Sequence, residues 1–219
     1  MEKLTLSKIS KADLKKIVHL EEQGIDNYDW LNVENVTLNE SEQQQLYYLQ
    51  SHLLNYSLHF MNEATIWARG IYPFLLLAEQ GKIQAWSEVP LQAKYPNFEL
   101  EGIADGVLAK TVSDSVEVPY LVVVEAKKGL ENQSPLCQLY GQLLTVAHLN
   151  WEEDQQDLQE IYGCYTIADV WTFIRTEIEG INAEKPTMKI EFSREYSSKI
   201  EGQIILRLLK KIVSKYINK

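Results

Sequence analysis

The stretch YLVVVEAKK, residues 120–128, constrains this chain more than any other. Five apolar residues in succession, Tyr120 to Val124, read as a strand inside an α/β core. Glu125, Lys127 and Lys128 then follow with no glycine, proline or asparagine to open a loop. Side chains alternate along a strand, so Glu125 and Lys127 project from the same face, about 6.6 Å apart. A core strand therefore ends by presenting a carboxylate and an ammonium side by side, and charges at the margin of a core are costly unless they are paired.

The flanking sequence supplies the rest of an α/β unit. Residues 82–95, 98–109 and 118–128 carry β-branched and aromatic residues between Pro, Gly and Asn, which predicts three consecutive strands. Residues 134–153 return to helical spacing, with Ser134 at the N-cap, Pro135 at the first helical position, and Leu139, Leu143, Val146 and Ala147 along one face. Residues 160–178 read as two more strands around Ala168 and Asp169, and residues 194–218 as a closing amphipathic helix, basic on one side.

Upstream, the pattern predicts helices over 9–23, with Ser10 as N-cap, over 41–60 and over 62–80, with a break or kink at Asn62 or Pro73. Helices able to cover both faces of one mixed sheet predict a three-layer α/β/α sandwich. The domain would span residues 61–219, with an N-terminal helical extension over residues 1–60, the whole forming one compact unit.

Length and composition fit this picture. The chain has 219 residues, 45% of them hydrophobic and 24% charged, enough for one domain with a buried core. No apolar run approaches the roughly 18 residues of a membrane span, and the N-terminus lacks a signal-peptide core, so the expectation is a cytoplasmic protein with no membrane partner. The two cysteines, Cys137 and Cys164, form no metal or disulfide pattern. The net charge of −10 argues against broad nucleic-acid binding, but it is unevenly spread. Residues 61–180 hold 7 Lys and Arg against 18 Asp and Glu, whereas residues 181–219 hold 9 against 4.

Asp105, in the preceding predicted strand, joins the charged pair. In an antiparallel hairpin with its turn centred near Ser115, residues whose numbers sum to 230 face each other, which puts Asp105 opposite Glu125. Two carboxylates that close repel, and one pKa rises unless a cation intervenes. A hard divalent ion resolves the conflict, since it takes oxygen ligands and keeps several waters, one of which is a nucleophile. A neighbouring lysine orients that water and neutralises charge on a phosphoryl group. The chemistry indicated is metal-assisted phosphodiester hydrolysis.

Asp105 followed by Glu125-Ala126-Lys127 on the next strand resembles the D…(D/E)-x-K signature of the PD-(D/E)XK nuclease superfamily, and the order of elements over residues 61–178 is similar to its restriction-endonuclease-like fold. The residue before Asp105 is Ala104 rather than proline. The resemblance implies Mg2+, or Mn2+ in its place, held by Asp105, Glu125, the Ala126 carbonyl and, through water or a second ion, Glu63. It implies Lys127 as the residue that positions the water. A helix after the Glu-x-Lys strand often carries a glutamine in this superfamily, and here Gln138 and Gln142 both qualify.

Glu79 competes with Glu63 for the acidic position on the upstream helix. The two are 16 residues apart, about 1600° of rotation, so only one faces the site, and Glu63 shares its face with Trp67, Gly70 and Phe74. Arg69, Lys128 and the basic C-terminal residues Lys199, Arg207, Lys210, Lys211 and Lys215 are candidates for phosphate contact. The expected function is a metal-dependent nuclease acting on nucleic acid, DNA ahead of RNA, alone, as a homodimer or with a partner subunit. The competing class is a catalytically silent module of the same fold that binds a protein or a nucleic acid, favoured by the acidic middle segment.

Overall fold

A computed structural model describes residues 2–127 and 135–217. Its framework is a mixed eight-stranded sheet flanked by helices. The three middle strands are β3 (Ile83–Lys94), β4 (Phe98–Val112) and β5 (Ser115–Lys127), joined as antiparallel neighbours in the order β3, β4, β5. Helix α5 (Pro135–Asp154) carries the chain over to β6 (Gln159–Ile167), which pairs in parallel with β5, and β7 (Val170–Glu179) returns antiparallel to β6. Ala168, at φ +54°, makes the tight corner between them. Ser134, the expected N-cap of α5, and Lys128 lie outside the described residues.

Two parts of the chain depart from the sequence expectation. The N-terminal segment is not all helix. It contributes β1 (Glu2–Thr5), parallel to β4, and β2 (His19–Ile25), on the far edge of the sheet. The expected 9–23 helix shortens to α1 (Lys11–Ile17), started by the expected Ser10 in a reciprocal capping box with Asp13. Leu14, Ile17 and Val18 have helical spacing, but Val18 and Leu20 also have the spacing of a strand, and pairing decides between the two readings. The partner is β8 (Thr187–Ser197), parallel to β2 and antiparallel to β7, a strand that was not expected. Its alternation of buried Met188 and Ile190 with Lys189 and Glu191 is the period-two signal. The last helix accordingly starts later than expected, as α6 (Gly202–Ile217).

Helix α2 (Glu40–Leu54) is capped by Asn39. After it, Asn62 caps a helical run made of α3 (Glu63–Ile66), one wide turn over Trp67–Ile71, and α4 (Tyr72–Ala78). In that wide turn the Tyr72 amide donates five residues back, to the Trp67 carbonyl. Pro73 accounts for the change of pitch: it has no N–H to give, and its ring would strike the carbonyl four residues back in a regular helix.

The three valines of the opening stretch are divided between the two faces of the sheet. Val123 packs in a cluster with Leu139, Leu143 and Ile174 beneath α5 and α1, whereas Val122 and Val124 pack with Phe74, Phe173, Leu208 and Leu209 beneath α4 and α6. Each buried valine contributes about 1.5 kcal/mol or more, so the end of β5 is anchored from both sides. No helix among the described residues is long and apolar enough to cross a membrane.

Candidate active site

Near the site the hairpin has the expected register, with Gly106 opposite Val124, Val107 opposite Val123 and Leu108 opposite Val122. The turn itself is elsewhere. It lies at Ser113 and Asp114, both with positive φ, as a tight two-residue hairpin turn requires. Register shifts on either side of Ala109 absorb the difference, and Lys110 faces Glu117.

On one edge, β4 serves two partners in succession. β1 pairs with residues 98–101 and β5 from Gly106 onward, so residues 102–105 lie in the fork between them. Side chains complete the hydrogen bonding of the fork. Asp105 Oδ2 accepts from the Ala126 amide at 2.7 Å. The Ile103 carbonyl accepts from Gln142 Nε2 at 3.2 Å. Asp105 and the Glu125-Ala126-Lys127 tripeptide are thereby tied together by a bond from the strand backbone to the Asp105 carboxylate.

Glu125 is wholly buried. Its Oε2 accepts from Gln138 Nε2 and Gln142 Nε2, each at 2.8 Å, and its Oε1 lies 3.0 Å from Lys127 Nζ without a well-directed hydrogen bond among the described residues. The sequence left Gln138 and Gln142 as alternatives, and the structure brings both to the same oxygen, because residues four apart on α5 share a face. Burial, and then the Asp105 charge, push the Glu125 carboxyl up to about 7, with Lys127 pulling the other way. Asp105 is also raised, mainly by burial, against the pull of the Ala126 amide and Lys127. Burial works to lower the Lys127 pKa, but Glu125 and Asp105 outweigh it and hold the ammonium above its usual range.

Trp67 docks the upstream helix onto this corner. Its Nε1 donates to Ser87 Oγ at 3.0 Å, and its ring lies over Gly106, where a Cβ would stand 2.3 Å from Cη2. Only glycine fits beside Asp105 with the indole in place. This contact brings Glu63, one helical turn earlier, to a cleft of about 310 Å³ lined also by Ala64, Trp67, Glu88, Asp105 and Ala126. Glu63 is exposed there and raises Asp105 electrostatically. Glu79 lies elsewhere, its Oε1 accepting from the Ala85 amide at 2.8 Å.

Glu88 was missed by sequence reasoning. It sits between the pairs Ser87–Gly106 and Val89–Ala104, hence across from Asp105, with φ at +53°, a conformation costly for any residue with a Cβ. An acidic residue in the middle of a predicted strand was the available signal, but its use needed the β3–β4 register.

Other expected contacts go elsewhere. Lys199 Nζ donates to the Tyr56 carbonyl, Lys211 Nζ to the carbonyls of Asp29 and Asn32, and Lys215 Nζ to Glu160, while Lys210 pairs with Glu42. These four lysines thus bind α6 to its surroundings rather than forming a free cationic face, while Arg207 Nε is buried without a hydrogen-bond partner among the described residues.

Among the described residues no three His, Cys, Asp or Glu side chains form a ready ligand cage. The donors at the cleft are all oxygens, which suits a hard ion that keeps much of its water. The fit rests on the buried Glu125 carboxyl, held at about 7 beside Asp105 with one oxygen lacking a well-directed donor among the described residues. A divalent cation relieves that conflict more fully than one lysine does. No protein-family model and no curated protein sequence matches the chain.

Proposed function

We propose that the chain is a Mg2+-dependent nuclease of the PD-(D/E)XK type, a three-layer α/β/α sandwich that hydrolyses phosphodiester bonds of nucleic acid, DNA ahead of RNA. The observation that carries this reading is the joining of Asp105 to Glu125-Ala126-Lys127 at a fork in the sheet, beside a cleft that Glu63 also lines. Asp105, Glu125 and the Ala126 carbonyl would hold the ion, with Glu63 acting through water. The ion, when bound, would supply a water made more acidic than bulk water and an electrophile for the phosphoryl oxygen.

Each side chain has a distinct task. Gln138 and Gln142 hold the Glu125 carboxylate in one orientation from the side away from Lys127. Lys127, kept protonated by Glu125, orients the attacking water and neutralises charge on the phosphoryl group; it is not the base that takes the proton. Trp67 walls the cleft and fixes the helix that carries Glu63.

Incubation of the purified chain with plasmid and with single-stranded DNA, in Mg2+, Mn2+ or EDTA, tests the proposal. Metal-dependent cutting that disappears in Lys127→Ala supports it. Equal cutting by wild type and Lys127→Ala overturns it and leaves the silent binding module, the reading favoured by the excess of 18 acidic over 7 basic residues in the middle segment.

A further inference from the structure

Behind the helical run that carries Glu63 lies a second concavity, of about 610 Å³, between α2 and α4. Tyr48, His52 and Tyr56 follow one another at intervals of four residues along its wall. Their ring centroids are 4.4 Å apart for Tyr48 and His52 and 6.2 Å apart for His52 and Tyr56. The Arg69 guanidinium closes the row, 4.9 Å from the centre of the Tyr56 ring. Pro73 and Leu76 form the opposite, apolar wall.

Two features specify the occupant. No described residue lining the groove is acidic, in a chain whose net charge is −10, and its one permanent charge is the Arg69 cation. The groove therefore lacks the carboxylates that would repel a polyanion elsewhere on this surface. The rings are also available: Tyr48 is 67% exposed, and His52 and Arg69 are exposed as well. The rings are tilted by 56° and 43° to one another and Arg69 covers the Tyr56 face, which leaves Tyr48 and His52 as the rings on which unpaired bases stack while the cation meets the phosphate. A duplex keeps its bases stacked on each other and offers them no such contact.

The groove and the candidate active site share one structural element. The run from Glu63 to Ala78 gives Glu63 and Trp67 to the cleft and Arg69 and Pro73 to the groove. We infer that the Tyr48–His52–Tyr56–Arg69 groove binds a single-stranded segment of nucleic acid by base stacking, and so selects substrates with unpaired bases. This rests on the nuclease reading for its purpose, though not for the binding itself.

The test is fluorescence anisotropy with dye-labelled oligothymidylate and with a labelled duplex of equal length, in EDTA so that no hydrolysis intervenes. Wild type is expected to bind the single strand more tightly than the duplex. Tyr48→Ala and His52→Ala each weaken single-strand binding by about tenfold, Tyr48→Phe binds like wild type, and Arg69→Ala flattens the salt dependence. Hydrolysis of bis(p-nitrophenyl) phosphate, too small to reach the groove, stays unchanged in Tyr48→Ala, Tyr48→Phe and His52→Ala. If Tyr48→Ala binds the single strand as wild type does, or wild type prefers the duplex or binds neither, the groove assignment is overturned. If the single strand binds through these rings but wild type hydrolyses no phosphodiester, the groove stands and the nuclease proposal fails. If DNA is cut but Tyr48→Ala binds it normally, the reverse holds.

Discussion

Gln142 Nε2 lies 2.8 Å from Glu125 Oε2, and both side chains are fully removed from solvent. The same nitrogen reaches the Ile103 carbonyl in the fork of β4, so one amide completes both the sheet edge and the carboxylate. Gln142→Ala takes a donor from the buried Glu125 Oε2 and from the part-buried Ile103 carbonyl, and should cost about 2 to 3 kcal/mol. Gln138 is only half-buried, and water can replace its amide, so Gln138→Ala should cost under about 1 kcal/mol. Urea unfolding of the two variants separates them, and equal losses would contradict the role given to Gln142.

Lys127→Ala removes the ammonium 3.0 Å from Glu125 Oε1. Metal-dependent hydrolysis should fall by about two to three orders of magnitude. Lys127→Arg keeps a charge but not the compact ammonium, and should recover little of the rate. Recovery to wild-type rates by arginine would show that the charge alone suffices.

The Glu125 carboxyl keeps its proton up to about 7 in the fold, against an ordinary value near 4.5. Between these values the folded chain binds protons that the unfolded chain does not, so the stability of the metal-free protein should fall as pH rises through that window. Asp105 is shifted the same way. Thermal unfolding followed across the window should show this slope, and Glu125→Gln should flatten it. Adding Mg2+ should stabilise the protein most at the alkaline end, because metal binding expels the proton. A wild-type profile no steeper than that of Glu125→Gln would contradict the shift.

Gly106 and Trp67 are expected to be coupled. Gly106→Ala places a methyl group inside the indole, since the added Cβ would stand 2.3 Å from Cη2, and should destabilise by about 1 to 3 kcal/mol. In the Trp67→Ala background the clash is gone, and the same glycine change should cost far less. Additive effects in this double-mutant cycle would mean that the indole does not rest on Gly106.

Glu88 is held at φ +53° across from Asp105. Glu88→Gly should raise stability by about 1 kcal/mol by relieving that backbone, while Glu88→Ala should not. If Glu88 supports the ion, both variants weaken Mg2+ binding in calorimetry equally, which separates its carboxylate from its backbone.

Local sequence carried much of this molecule. The Ser10 cap, the Asn62 break, the hairpin from β4 to β5 and the corner at Ala168 all follow from residues within one or two turns of each other, where spacing and cap chemistry act directly. The register across Asp105 was legible even though the turn was misplaced, because the charged ends of β4 and β5 and the apolar run before them allow few alignments. β8 and the two N-terminal strands were not legible in this way. Their partners are distant in sequence: β2 pairs with β8 across some 170 residues, so the mixed spacing of β2 and the short period-two alternation of β8 have no sequence neighbour to decide them.

By itself the sequence determined which chemistry is available: an aspartate, a Glu-x-Lys tripeptide at the end of a buried strand, and two glutamines on one face of the next helix. Only the tertiary structure decided how these are combined. It put both glutamines on one Glu125 oxygen, gave Asp105 an Ala126 amide to accept, brought Glu88 into the cleft through a register no local pattern encodes, and consumed the C-terminal lysines in internal contacts. The physical reason is range: capping, alternation and helical spacing act over a few residues, whereas hydrogen bonds and charge interactions at a site depend on which distant elements the core brings together.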